Sequence, residues 1–142
     1  MFRIEECLSL ITRNSSKIFS NVLSSRLKEK DVGLSEWMVL YYLSLNGGIT
    51  QTELANHLSV TAPSLGRQLS TMEDDGLITR SIHDDDLRIR KLYLTKKGSK
   101  LGKECNDIVI QFKNDISKGI TQKELVQMRI TLDKMVDNVI TE

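Results

Sequence analysis

The strongest constraint on this chain lies in its middle, at residues 49–94, where helix start and stop signals follow one another too closely for long elements. Thr50 and Glu53 fit a capping box, in which the hydroxyl accepts from the amide three residues on and the carboxylate reaches back to the cap amide. The helix they open is short, Gln51 to about Leu58, with Leu54, Ala55 and Leu58 inward. Ser59-Val60 makes a tight corner. Thr61 caps the next helix, and Pro63 falls in its first turn, where a missing N–H costs little. Leu65, Leu69 and Met72 form its buried stripe. Asp75-Gly76 ends it, with Gly76 in the left-handed conformation and Leu77 as the apolar contact that follows. Leu77 to Ile82 and Arg88 to Leu94 read as strands around the polar loop His83-Asp84-Asp85-Asp86. Two helices at a tight corner followed by a hairpin form a winged helix–turn–helix.

The flanks are helical by period. Ile4, Leu8, Ile11, Ile18 and Val22 recur at three- and four-residue steps, with Phe19, Leu23 and Leu27 alongside. This helix stops near Asp31-Val32-Gly33. A second, with Ser35 as N-cap candidate, carries Trp37, Leu40, Tyr41 and Leu43 and breaks at Asn46-Gly47-Gly48. After the hairpin, Thr95 caps a helix striped by Leu101, Cys105, Ile108, Phe112 and Ile116. Lys118-Gly119 breaks it, and Thr121 with Glu124 opens the last helix, where Leu125, Met128, Leu132, Met135 and Val139 repeat. The expected fold is mainly α with a small β-hairpin wing, in one domain of residues 1–142. Residues 31–100 form the winged helix–turn–helix, and 1–30 and 101–142 supply dimerisation helices. The same end stripes would also suit an intramolecular bundle; a two-fold dimer is the more economical reading.

Charge is unevenly spread. The formal net charge is +1, from 20 Lys+Arg against 19 Asp+Glu, but residues 1–30 carry +3, 31–58 carry −3, 59–100 carry +2 and 101–142 carry −1. Residues 87–100 hold six basic side chains and no acid. A phosphate backbone senses such local charge, so the balanced total does not exclude a nucleic-acid partner. No apolar run approaches the roughly 20 residues that span a bilayer. MFRIEECLSL has acids inside its apolar stretch, unlike a secretory signal, so a cytoplasmic location is expected. Cys7 and Cys105 lie far apart, without the spacing of a zinc site or disulfide framework. His57 and His83 are lone histidines, and Asp84-Asp85-Asp86 lacks EF-hand spacing, so no metal or other cofactor is expected. Neither a P-loop, a G-x-S-x-G nor a G-x-G-x-x-G is present, and an enzyme is not expected.

In a helix–turn–helix the second helix enters the major groove with its N-terminal residues near base edges. Here those residues are Thr61, Ala62, Pro63 and Ser64, followed by Arg67 and Gln68, whose reach suits guanine and adenine edges. On the hairpin, alternation puts Arg88, Arg90, Leu92 and Leu94 on one face, with Lys91 beside them. A narrow minor groove attracts an inserted arginine, and Asp86 is placed to orient Arg88. Each of these side chains has an ordinary alternative as an exposed residue; the order of elements raises the DNA reading above it.

The chain resembles the MarR (multiple antibiotic resistance regulator) family of transcription factors. Residues 49–80 match its Leu-Ala-x-x-Leu, recognition helix, Leu/Met-Glu-x-x-Gly-Leu-Ile-x-Arg order through Leu54, Ala55, Leu58, Met72, Glu73, Gly76, Leu77, Ile78 and Arg80. Residues 86–98 match its wing pattern through Asp86, Arg88, Leu94, Thr95 and Gly98. The resemblance implies a homodimer, usually a repressor, on a pseudo-palindromic operator in double-stranded DNA, and in many members release by a small aromatic or phenolic compound. Pro63 and Gly66 depart from the family's helix. Gly66 costs about 1 kcal/mol relative to Ala, and either close approach to DNA or room for a neighbouring helix would explain it.

Candidate effector contacts are Trp37 and Tyr41, near the junction with the dimerisation helices, with Arg13 and Lys17 placed to hold a ligand carboxylate. Tyr42 belongs with the two aromatics, all three of which read more readily as core of the second helix, and Arg13 and Lys17 also read as plain surface. Cys7 is the candidate for a redox-active thiol; Glu5 and Glu6 beside it would oppose that. The rival to a DNA-binding regulator is a winged helix that docks on another protein.

Overall fold

The computed structural model describes residues 7–83 and 86–140, and the side chains among them except those of 82–89. Among the described residues, six α-helices and three strands run in the order α1 Leu8–Leu27, α2 Leu34–Leu45, β1 Ile49–Thr50, α3 Gln51–Leu58, α4 Ala62–Asp74, β2 Ile78–His83, β3 Asp86–Leu94, α5 Lys96–Ile116 and α6 Gln122–Ile140. A single 3-10 turn, Lys28–Lys30, follows α1. The chain divides into two compact units, Met1–Val109 and Ile110–Glu142.

The first unit is a winged helix–turn–helix preceded by α1. Its core gathers Val39, Leu40 and Leu43 of α2, Leu54 and Ala55 of α3, Leu65, Leu69 and Met72 of α4, and Leu77, Ile78 and Leu92 of the hairpin root. Each fully buried leucine contributes about 1.5–3 kcal/mol relative to exposure, so this cluster fixes how α4 is held. The stripe spacing on α4 leaves its opposite side to solvent.

The predicted punctuation is largely present. Thr50 Oγ1 accepts from Glu53 N–H at 3.2 Å, and Glu53 accepts from Thr50 N–H at 2.6 Å. Ser59 turns the corner in the left-handed region, with φ +54°. Gly76, at φ +69°, closes α4, and Leu77 N–H donates to Met72 O at 2.9 Å. At the other chain end, Gly119 has φ +80°, and Thr121 N–H donates to Glu124 Oε2 at 2.8 Å.

Three points differ. Ser35 does not cap α2; Gly33 holds the cap position and its N–H donates to Glu36 Oε2 at 3.3 Å. The glutamate three residues after Gly33 moves the helix start forward. Secondly, Ile49–Thr50 is a strand of its own, and the sheet order is β1-β3-β2, all antiparallel. Ile49 pairs with Leu92 and Thr50 with Lys91. Two residues show no period; their bonds exist only once β3 is alongside. Thirdly, the two strands of the hairpin reach further toward the tip than expected, pairing His83 with Asp86 across a register shift.

On α1, Leu23 and Leu27 are buried, whereas Leu8, Ile11, Ile18, Phe19 and Val22 are exposed. Second-unit residues Val126, Met128, Ile130, Val136, Val139 and Ile140 are exposed too, the last two at 75% and 70%. Among the described residues no helix is long and apolar enough to cross a membrane.

Candidate nucleic-acid interface

α4 presents a row of polar side chains because its apolar stripe is anchored beneath them. Thr61, Pro63, Ser64, Arg67 and Thr71 are exposed and Ala62 is half-buried. Ser64, Arg67 and Thr71 follow at i, i+3 and i+7, one helical face. Thr71 was not among the expected contact residues, although this spacing is legible in the sequence. The Thr61 hydroxyl accepts from Ser64 N–H at 3.4 Å. Pro63 has no N–H and the Ser64 amide is taken by Thr61, so two of the first three positions of α4 offer no free amide to an anion. This narrows the anion site expected of a helix N-terminus.

Gln68 is placed differently from Arg67. It is half-buried, and its amide Nε2 donates to Ser35 Oγ of α2 at 3.2 Å. That bond takes one of the two N–H donors of the amide and draws the side chain toward α2. Nothing in the sequence signals this pairing across 33 positions. Gly66 also finds its reason here. A Cβ on it would meet Gln51 Nε2 at 3.0 Å, and that amide donates to Ala62 O at 2.8 Å. The room it leaves is taken by the side chain of Gln51 of α3, which lies beside it and ties the two helices together.

On the wing, Arg90 is exposed. Lys91 is half-buried and lies opposite Ser81 and Thr50. The hydrogen bonds from Thr50 N–H and hydroxyl hold the Glu53 carboxyl below the usual carboxylate range, and the charge of Lys91 adds to this. Part of the Lys91 field is therefore met within the fold. Asp86 and Arg88 belong to β3, and their side chains lie outside the described residues. Lys97, one of six cations in the basic stretch, donates to Asp75 O at 2.7 Å and so braces the end of α4.

The hairpin root is locked to α4 by the residues that carried the sequence pattern. Glu73 and Arg80 form an ion pair across the Gly76 turn. Thr95 Oγ1 donates to Gly76 O at 2.7 Å and accepts from Gly98 N–H at 3.0 Å.

The effector candidates divide. Trp37 and Tyr41 meet, with ring centroids 5.7 Å apart. The Trp37 indole N–H donates to Asn106 Oδ1 of α5 at 2.9 Å, a partnership with no sequence signal. Tyr42 packs on the core and stacks on His57 at 5.1 Å. Arg13 and Lys17 are exposed one turn apart on α1. The thiol of Cys7 is lowered by the Ser9 hydroxyl, 3.1 Å from Sγ, with the Leu10 amide adding to it; Glu5 and Glu6 lie outside the described residues. Burial pushes the Cys105 thiol up. Among the described residues no group of three potential ligands is arranged for a metal ion.

A family model, described as the MarR family, matches residues 33–89. The transcriptional regulator PA3341 is 26% identical, with 95% of this chain and 99% of that one covered and a TM-score of 0.84. The S. aureus MepR–DNA complex is 24% identical, covering 96% and 99%, with a TM-score of 0.85. An organohalide-sensing transcriptional regulator, solved in its 2,4-dichlorophenol-bound form, is 21% identical, covering 98% and 83%, with a TM-score of 0.83.

Proposed function

We propose, from the match of residues 33–89 to the MarR family model, that the chain is a cytoplasmic, homodimeric repressor of that family that binds a pseudo-palindromic site in double-stranded DNA and is released from it by a small aromatic ligand. The observation that carries this reading is the outer face of α4, an exposed Ser64-Arg67-Thr71 row on a helix whose other side is buried in the core.

With α4 in the major groove, Arg67 has the reach to donate two hydrogen bonds to a guanine edge. Thr61, Ala62, Pro63 and Ser64 form the small-residue start that lets the backbone approach the phosphates, and Gln68 reads an adenine edge. Arg90 and Lys91, with Asp86 and Arg88 of the same strand, serve the wing, where a narrow minor groove favours arginine. The DNA duplex bound by S. aureus MepR supports the assignment by shared fold. The exposed apolar rows of α1 and of the second unit support a two-fold partner. Trp37 and Tyr41, with Arg13 and Lys17 for a carboxylate, are the effector contacts in this reading, and the dichlorophenol in an organohalide-sensing relative supports an aromatic ligand.

The test is selection of bound fragments from the host's genomic DNA, followed by anisotropy titration of the enriched duplex across a range of salt. The expected result is a dyad-symmetric sequence whose affinity falls steeply with salt, as counterions leave the phosphates. Arg67→Ala is expected to narrow the gap between selected and random duplexes, because base contacts specify while phosphate contacts position. No enrichment, or affinity indifferent to salt, would overturn the reading in favour of a winged helix that docks on protein.

A further inference from the structure

The bond between Gln68 and Ser35 has a direction: the amide Nε2 donates and the hydroxyl Oγ accepts, at 3.2 Å. A glutamine amide carries two N–H donors and one carbonyl acceptor. With one N–H given to Ser35, one N–H and the carbonyl Oε1 are left. That remainder is one donor beside one acceptor, the complement of an adenine edge, whose N7 accepts and whose N6 donates. A guanine edge offers two acceptors, N7 and O6. An amide with both N–H donors free can serve both, as a lysine does from its single nitrogen; an amide that has given one away cannot. The helix itself is held without Ser35. Leu65, Leu69 and Met72 anchor α4 in the core, and Gln51 Nε2 of α3 donates to Ala62 O at 2.8 Å. Ser35 is exposed, and α2 starts from the Gly33–Glu36 cap rather than from the serine hydroxyl.

We propose that Ser35 determines sequence specificity through Gln68: by taking one amide N–H, it makes Gln68 a reader of adenine and disfavours guanine at the same base pair. Ser35 touches no base in this role and is a positioning residue. Base preference at one operator position is then set from α2, outside the helix that enters the groove and 33 positions earlier in the chain. This role rests on the DNA reading of α4 proposed above.

The test starts from the duplex enriched in the genomic selection. Each half-site base pair is exchanged in turn, and the position at which Gln68→Ala loses base preference is the Gln68 position. Adenine is expected there, preferred over guanine by about fivefold or more, the low end for a two-bond base contact. Ser35→Ala should narrow that ratio at least about threefold, the order of one hydrogen bond. It should leave the Arg67-dependent positions and the affinity for random duplex unchanged. Ser35→Thr keeps a hydroxyl acceptor and should keep the ratio. A merely structural role would instead lower affinity alike on every duplex. Guanine at the Gln68 position, no such position, an unchanged ratio in Ser35→Ala, a ratio narrowed as much by Ser35→Thr, or a loss spread evenly over all duplexes overturns the proposal. The bond is also read without DNA, from the side-chain amide resonances of Gln68 by NMR, which should shift in Ser35→Ala; unshifted resonances overturn the proposal as well. A protein that enriches no operator overturns the DNA reading itself, whatever the amide resonances show, and the role of Ser35 falls with it.

Discussion

A Cβ built on Gly98 would lie 2.0 Å from the carbonyl oxygen of Leu77. The Gly98 amide meanwhile donates to Thr95, whose hydroxyl donates to the Gly76 carbonyl. The Thr95-x-x-Gly98 part of the wing pattern is therefore a structural clasp, as is the Glu73–Arg80 pair in the helix–turn–helix pattern. What these residues specify is the seating of the hairpin on α4, whereas Ser64 and Arg67, which face outward, carry the proposed recognition. Gly98→Ala should lower stability by at least about 3 kcal/mol, the upper end of ordinary overpacking, because the obstructing atom is backbone and cannot rotate away. Gly102 on α5 provides the opposite case. A Cβ there meets Leu40 Cβ at 3.5 Å, an ordinary contact, so Gly102→Ala should stabilise by about 0.5–1 kcal/mol through helix propensity. Thermal denaturation of both variants checks the pair. A Gly98→Ala protein that melts with the wild type would show that the clasp has slack.

α3 and α6 begin with the same device, and in both the carboxyl is held below its ordinary range. For Glu124 the hydroxyl and amide of Thr121 are responsible, in that order. A depressed carboxyl contributes stability that is fully present above its unfolded value, ordinarily 4.5, and is lost as pH falls through the lower folded value. The first turn of α6 should therefore loosen in acid only below pH 4.5. An NMR titration of the Glu124 carboxyl should place its midpoint below that of a free glutamate, and Thr121→Ala should return it there; an unshifted midpoint in the wild type would remove the box from the account of α6. Both boxes were legible from spacing because their partners are three residues apart. The start of α2 was not, since Gly33 has no side-chain signal and Ser35, which looked like a cap, serves Gln68 instead. The strand β1 was equally hidden, as its bonds go to Leu92 and Lys91, some forty residues on.

Taken whole, the chain leaves its apolar rows unevenly covered. Single exposed apolar residues are ordinary, but Leu8, Ile11, Ile18, Phe19 and Val22 share one helix, and Val126 to Ile140 repeat the pattern in the second unit. If these rows join two copies, the double substitution Ile18→Glu with Val136→Glu should halve the mass seen by sedimentation and leave the winged helix folded by circular dichroism. A wild-type protein that sediments as a monomer at tens of micromolar would refute the dimer. Periodicity and caps determined that six helices and a hairpin form, in what order, and which side of α4 is apolar, because each of those depends on residues within one or two turns. The pairings between distant segments came only with packing: Gln68 on Ser35, Trp37 on Asn106, Gln51 beside Gly66 and Lys97 on Asp75. Such contacts follow from where the core fixes each helix relative to the next, and no local pattern encodes that.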